Sequence, residues 1–177
     1  MNGKFSPKYL PPLTGQSICS RHGSKNHMFW YPQPDVETLE KAFLRYVAPQ
    51  FFSKYQAAQA TEDFIETLNR AKQGDLEPVY EIRLINPATT KPERIFEIKN
   101  HWNNAKRSSK TAGYVGSRLF HGEPYEIPNG IVATWLMCKV RDPDADSTWN
   151  KQSAAAKQAA FRLDECRRHN WKGLVEM

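Results

Sequence analysis

Val79-Tyr80-Glu81-Ile82-Arg83-Leu84-Ile85 is the stretch on which the fold turns, because here the apolar period changes from helical to two. Along an extended chain Tyr80, Ile82 and Leu84 point one way and Glu81 and Arg83 the other, which predicts a strand with one wet face. Asn86 to Pro92 supplies turn chemistry, and Arg94 to Lys99 reads as a second strand, so the pair predicts an antiparallel hairpin. Upstream, Val36, Leu39, Phe43 and Tyr46 recur at helix spacing behind Asp35 as cap, until Pro49 stops the run. A second helical region begins near Phe51. In its clearer half Thr61 is the expected cap, Glu62 and Asp63 sit where the helix dipole favours carboxylates, and Phe64, Ile65, Leu68 and Ala71 form one face ending at Gly74. Downstream, Ile131 to Val140 is nearly continuous apolar sequence, as expected of a buried central strand, and Asp142-Pro143-Asp144 ends it. From about Ser147 to Arg168, alanines among Lys and Gln give high helix propensity, with Trp149, Ala156, Ala160 and Leu163 on one face.

Together these elements predict a single α+β domain over residues 35–177. Helices come first, then a mainly antiparallel sheet of three or more strands, then a C-terminal helix covering one face. Residues 1–34 hold five prolines and no helical period, and read as a basic irregular arm, stapled to the body by Met28-Phe29-Trp30-Tyr31. The 98–130 region, with Gly113, Gly116 and Gly122 and little periodicity, reads as a long basic insertion loop. No run approaches the roughly 18 apolar residues of a membrane span, so no membrane partner is expected. Three scattered cysteines, Cys19, Cys138 and Cys166, are not a disulfide framework. They favour an intracellular, reducing setting, the cytoplasm first; the acid-free arm leaves organellar import as the alternative.

Charge carries the functional expectation. The net charge is +6, yet residues 1–34 contain no acid beside Lys4, Lys8, Arg21 and Lys25. Residues 98–122 contain none beside Lys99, Lys106, Arg107, Lys110 and Arg118. Two acid-free stretches therefore hold the whole excess, and such segments draw polyanions, nucleic acid above all. Trp102, Tyr114 and Phe120 interleave with the second set; aromatic faces of this kind either stack bases or anchor a loop.

The helix, strand, strand, strand, helix order from Thr61 to Arg168 resembles the double-stranded RNA-binding domain (dsRBD). Phe64-Ile65-Glu66-Thr67-Leu68-Asn69-Arg70, then Pro78-Val79-Tyr80-Glu81, is similar to that family's first helix and Pro-x-Tyr-Glu segment. Phe96-Glu97-Ile98-Lys99 resembles its second strand, and Asn150-Lys151-Gln152-Ser153-Ala154 with Ala159 and Leu163 resembles its last helix. The resemblance implies a dsRBD-like fold in which the first helix and hairpin turn touch successive minor grooves while lysines at the last helix straddle the phosphates. The chain departs from the pattern in lacking the Gly-Pro-x-His turn, in keeping only Lys151 of three signature lysines, and in the insertion of about 30 residues between the second and third strands.

The expected function is therefore non-catalytic nucleic-acid binding, structured or double-stranded RNA before DNA, with no cofactor and no metal. Lys99, Lys106, Arg107, Lys110, Arg118 and Lys151 are the expected phosphate anchors, and Trp102 and Tyr114 the stacking partners. One alternative is a scaffold of the same fold that binds a protein partner. A second is a Mg²⁺-dependent nuclease using Glu97 and Lys99, which i, i+2 spacing puts on one strand face, with Asp75 upstream. Cys19-x-x-His22 with His27 holds fragments of a zinc pattern and lacks a local fourth ligand. For a Cys–His pair, nothing in the sequence selects among His101, His121 and His169.

Overall fold

The computed structural model describes residues 16–85, 94–103, 114–140 and 145–177. The fold is α+β, with three helices on a six-stranded mixed sheet. The strands are β1 (His27–Trp30), β2 (Ile82–Ile85), β3 (Ile95–Trp102), β4 (Val115–Gly122), β5 (Gly130–Val140) and β6 (Val175–Glu176). The helices are α1 (Leu39–Tyr46), α2 (Lys54–Gln73) and α3 (Ala145–Arg168). The sheet order is β2-β3-β4-β5-β1-β6; β1 pairs parallel to β5 and the other neighbours are antiparallel. Among the described residues no helix is long and apolar enough to cross a membrane.

Two cores form because both sheet faces are covered. On one face, Phe96, Ile98, Val115, Leu119, Ile131 and Leu136 meet α1 and α2 through Phe43, Phe64, Leu68 and Ala71. Phe43 is fully buried and stacks on Phe64 with centroids 4.7 Å apart. Such a ring contributes roughly 1.5–3 kcal/mol by burial. On the other face, Ile95, Phe120 and Val132 meet Ala155, Ala156, Ala159, Ala160 and Leu163 of α3. The small side chains let that helix lie close: Thr134 Oγ1 donates to the Ala159 carbonyl at 3.0 Å, and the Leu163 methyls rest on Gly122. Strict alternation would break at Trp135, but a bulge absorbs one extra residue opposite Phe120 and His121. Ala133 and Leu136 thereby both reach the first core, while Trp135 joins the second.

Several boundaries differ from the sequence reading. The cap of α2 lies eight residues before Thr61: it is Ser53, its Oγ accepting from Gln56 N at 3.2 Å. Thr61 sits inside the helix and donates to the Ala57 carbonyl at 2.8 Å. Gly74 does end the helix, in the left-handed region at φ 77°, where a side chain would be strained. β2 starts at Ile82, because Val79 takes φ 72°, a conformation rare for a β-branched residue, and turns Tyr80 out into solvent. The region read as an insertion loop holds the last half of β3 and all of β4, a strand buried along its whole length. Its Gly, Arg and His residues hid it from an apolar count. Met28-Phe29-Trp30 joins the body as sheet, since β1 lies between β5 and β6, so this part of the arm is not irregular. Between α2 and α3 run four strands rather than three, and the two helices lie on opposite sheet faces. The turn at Asn86 to Pro92 and the Trp149 side chain lie outside the described residues.

Candidate functional site

Alternation along β3 sorts its polar residues by face. Glu97, Lys99 and His101 point to the α3 side, whereas Ile98, Asn100 and Trp102 point to the α2 side. The cross-strand partner of Lys99 is Arg118 on β4, and that of Glu97 on the outer strand is Arg83. One strand further, Lys139 of β5 lies opposite Gly116 of β4, and its Nζ donates to Gln152 of α3 at 3.4 Å. Four cations from four strands, Arg83, Lys99, Arg118 and Lys139, thus surround one carboxylate, Glu97, leaving an excess of three positive charges.

Glu97 is fully buried, and its two oxygens are engaged differently: Oε2 accepts hydrogen bonds, and Oε1 has an ion-pair contact alone. Gln152 Nε2 donates to Oε2 at 2.6 Å, and Arg83 Nε and Nη2 approach the same oxygen at 3.4 and 3.3 Å. Arg118 Nε stands 2.7 Å from Oε1 as an ion pair, with its N–H off the line of a hydrogen bond. Arg118 itself is 3% exposed and spends its other donors on the Ser117 and Asn100 carbonyls and the Tyr114 hydroxyl. It is a buried hub, not an open anchor. Above it the cations repel one another. Lys99 is held below the usual lysine range by partial burial and then by Arg83, with Arg118 and Lys139 adding to the shift. Lys139 is lowered by burial and then by Arg118. His101 is held down to about 4 by burial, then by Arg118, Lys99 and Lys139, so its imidazole is neutral at pH 7.

The anticipated site residues divide accordingly. Lys99 joins the cluster, its Nζ donating to the Val79 carbonyl. Arg118 joins as the hub, and Tyr114 is tied to it and to His101 by its hydroxyl. Lys151 is exposed on α3, next in sequence to Gln152. Trp102 lies on the opposite face, edge-on to Phe43 and Phe51, its Nε1 donating to Asp63 at 2.9 Å; it is a core anchor and not a stacking platform. Lys106, Arg107 and Lys110 lie outside the described residues. Arg83, Lys139 and the exposed Tyr80 complete the cluster and its rim, and were missed. The sequence signal for Arg83 was its alternation opposite Ile82 and Leu84; for Lys139 there was none, since it sits in an otherwise apolar strand.

For a nuclease, Mg²⁺ needs carboxylate lone pairs facing a second acid. Oε2 of Glu97 accepts from Arg83 and Gln152, Oε1 faces the Arg118 guanidinium as an ion pair, and Asp75 pairs with His22 at 2.6 Å rather than standing beside Glu97. The zinc fragments also regroup. His27 faces Glu176, while Cys19 Sγ lies 3.7 Å from His121 Nε2. Cys19, His121 and Glu123 are the one group of three metal-capable side chains among the described residues. Burial pushes Cys138 up to about 12 and Cys166 to about 11, which favours the thiol over the thiolate at neutral pH. No family model, curated protein or solved structure matches the chain.

Proposed function

We propose that this chain binds nucleic acid without catalysing a reaction, through the sheet face that carries Arg83, Lys99, Arg118 and Lys139. The observation that supports this reading is the gathering of four cations around one buried carboxylate at the α3 side of the sheet. Arg83, Lys99 and Lys139 are partly accessible, and Arg118 holds Glu97 in place beneath them. A phosphodiester strand laid on that rim relieves their mutual repulsion and releases its own counterions. Tyr80, three-quarters exposed in the turn whose Val79 carbonyl accepts from Lys99, offers a ring face beside the rim for an unpaired base.

Structured RNA is favoured over DNA on the residues that resemble a dsRBD. The contact mode differs from the one that resemblance implies, because α2 packs on one sheet face and α3, which carries Lys151, on the other. The proposal therefore rests on the strand cations. Three accessible cations correspond to a log–log salt slope of about −2.7 for a duplex. Fluorescence anisotropy of labelled duplex RNA, hairpin RNA and duplex DNA, each at two or more ionic strengths, tests it. The expected result is binding that weakens with that slope or a steeper one, and loses about 0.9 of slope in each of Lys99→Gln and Lys139→Gln. Absence of binding at low salt, or salt-independent binding, overturns the reading in favour of a protein-interaction scaffold.

A further inference from the structure

The second cluster lies at the far end of β4, three and five residues beyond Arg118, where Cys19 from the segment before β1 meets it. Cys19 sits in a single 3-10 turn, Ile18–Ser20, and His121 and Glu123 lie at the end of β4 and just past it. Cys19 and His121 are fully buried, and Glu123 is 13% exposed at its side chain. Cys19 Sγ is 3.7 Å from His121 Nε2 and 4.0 Å from Glu123 Oε1, and His121 Nε2 is 3.3 Å from Glu123 Oε1. Zinc bonds of about 2.3 Å to sulfur and about 2.0–2.2 Å to nitrogen and oxygen, set at the tetrahedral angle, place the same atom pairs about 3.6, 3.6 and 3.4 Å apart. The donor triangle thus already has the size of one face of a zinc tetrahedron.

We infer that Cys19 Sγ, His121 Nε2 and Glu123 Oε1 form a binding site for a thiophilic divalent cation of the zinc class. Three features hold the donors in place. Ile18 N donates to both carboxylate oxygens at 3.1 Å, the Ser17 hydroxyl donates to Oε1, and the His121 ring stacks on Phe96 at 5.6 Å. Backbone and hydroxyl groups thereby orient the carboxylate as outer-shell partners do at metal sites, while His121 is held by ring packing, its buried Nδ1 having no hydrogen-bond partner. Among the described residues the fourth position falls to water or to Ser17 Oγ, and residues 1–15 contain no Cys, His, Asp or Glu. A bound ion takes the thiol as thiolate, its proton leaving to solvent, and the positive charge compensates the buried sulfur and carboxylate. The donors lie about a hundred residues apart in sequence, so the ion ties the segment before β1 to the far end of β4. The same segment holds the end of α2, through Leu76 N on the Cys19 carbonyl at 2.9 Å and Asn26 on Ala71 and Lys72.

The test is metal analysis of the full chain purified without chelator, followed by exchange to Co²⁺. The expected results are about one zinc per chain and, with Co²⁺, a thiolate charge-transfer band together with visible bands of tetrahedral intensity. Cys19→Ser abolishes the charge-transfer band, whereas Cys138→Ser and Cys166→Ser retain it. Ser17→Ala weakens cobalt binding by about 10–100-fold. Should Cys19→Ser fail to fold, the wild-type stoichiometry, the two cysteine controls and Ser17→Ala still decide the matter. A chain that takes up neither zinc nor cobalt in stoichiometric amount, or a band lost in Cys138→Ser or Cys166→Ser, overturns the assignment.

Discussion

Replacing Glu97 by alanine is expected to destabilise the fold by about 3–5 kcal/mol, because it strands a buried guanidinium. Glu97 is wholly inaccessible and Arg118 is 3% exposed. At 2.7 Å the two opposite charges attract each other where water cannot substitute. The substitution also frees Gln152 Nε2, which gives its 2.6 Å hydrogen bond to the lost carboxylate, and one face of Arg83. A domain of this size has roughly 5–15 kcal/mol in hand, so the loss is a large share of the total. At about 2–4 °C per kcal/mol, the melting temperature falls by roughly 6–20 °C. Urea unfolding followed by circular dichroism measures the loss directly. The double variant Glu97→Met with Arg118→Met removes both charges and recovers most of it, as apolar replacements of buried ion pairs do. A loss below about 1 kcal/mol, the range of exposed ion pairs, would refute the reasoning, since Arg118 would then have reached water. The same result bears on the nuclease alternative: Glu97→Ala is a folding variant here, so it cannot serve as a clean catalytic knockout.

Other perturbations have definite expectations. In an NMR titration, His101 shows a pKa of about 4, and adding duplex RNA raises it as phosphate offsets the neighbouring cations; a value unmoved by saturating RNA would separate the ligand from this face. Because that pKa is depressed below the unfolded histidine value, the unfolded chain binds the proton first. His101 therefore favours the folded state fully above about pH 6.5, and this contribution is lost as pH falls from there toward 4, which a pH series of melting curves on wild type and His101→Gln checks. Gly122→Ala overlaps the Leu163 methyls of α3 and is expected to destabilise by about 1–3 kcal/mol, with Leu163→Ala in the same chain relieving part of that cost; strictly additive losses would show that the two residues do not touch. Gly74→Ala both strains φ 77° and drives a Cβ into the Arg21 carbonyl, so its melting temperature drops further than that of Gly23→Ala, where φ is the same but the space is open.

Periodicity made much of the scaffold legible. The helix before Pro49 (though Thr38 caps it and not Asp35), the end of the next helix at Gly74, the apolar strand Ile131 to Val140 and the alanine-rich last helix all follow from local pattern, since each buries a stripe of its own side chains. The pattern failed at β4. Val115-Gly-Ser-Arg-Leu-Phe-His-Gly122 carries too many polar and small residues to read as a central strand, and its burial depends on partners elsewhere in the chain. Glu97 satisfies Arg118, Cys19 and Glu123 face His121, and Leu163 fills the space over Gly122. Charge counting behaved similarly. It found Lys99 and Arg118 but grouped them with Trp102, which alternation sends to the opposite face.

The sequence by itself determined the three helices, the hairpin strands and the apolar strand β5, and that the positive excess is concentrated in two acid-free stretches, because propensity, period and charge are properties of neighbouring residues. Only the tertiary structure decided that Arg83 and Lys139 meet Lys99 and Arg118 around Glu97, and that Cys19 meets His121 and Glu123. Both groupings are made by strand pairing and by a turn docked on a distant strand end. Register and docking are fixed by the packing of the whole sheet between its helices, which no local window of the chain contains.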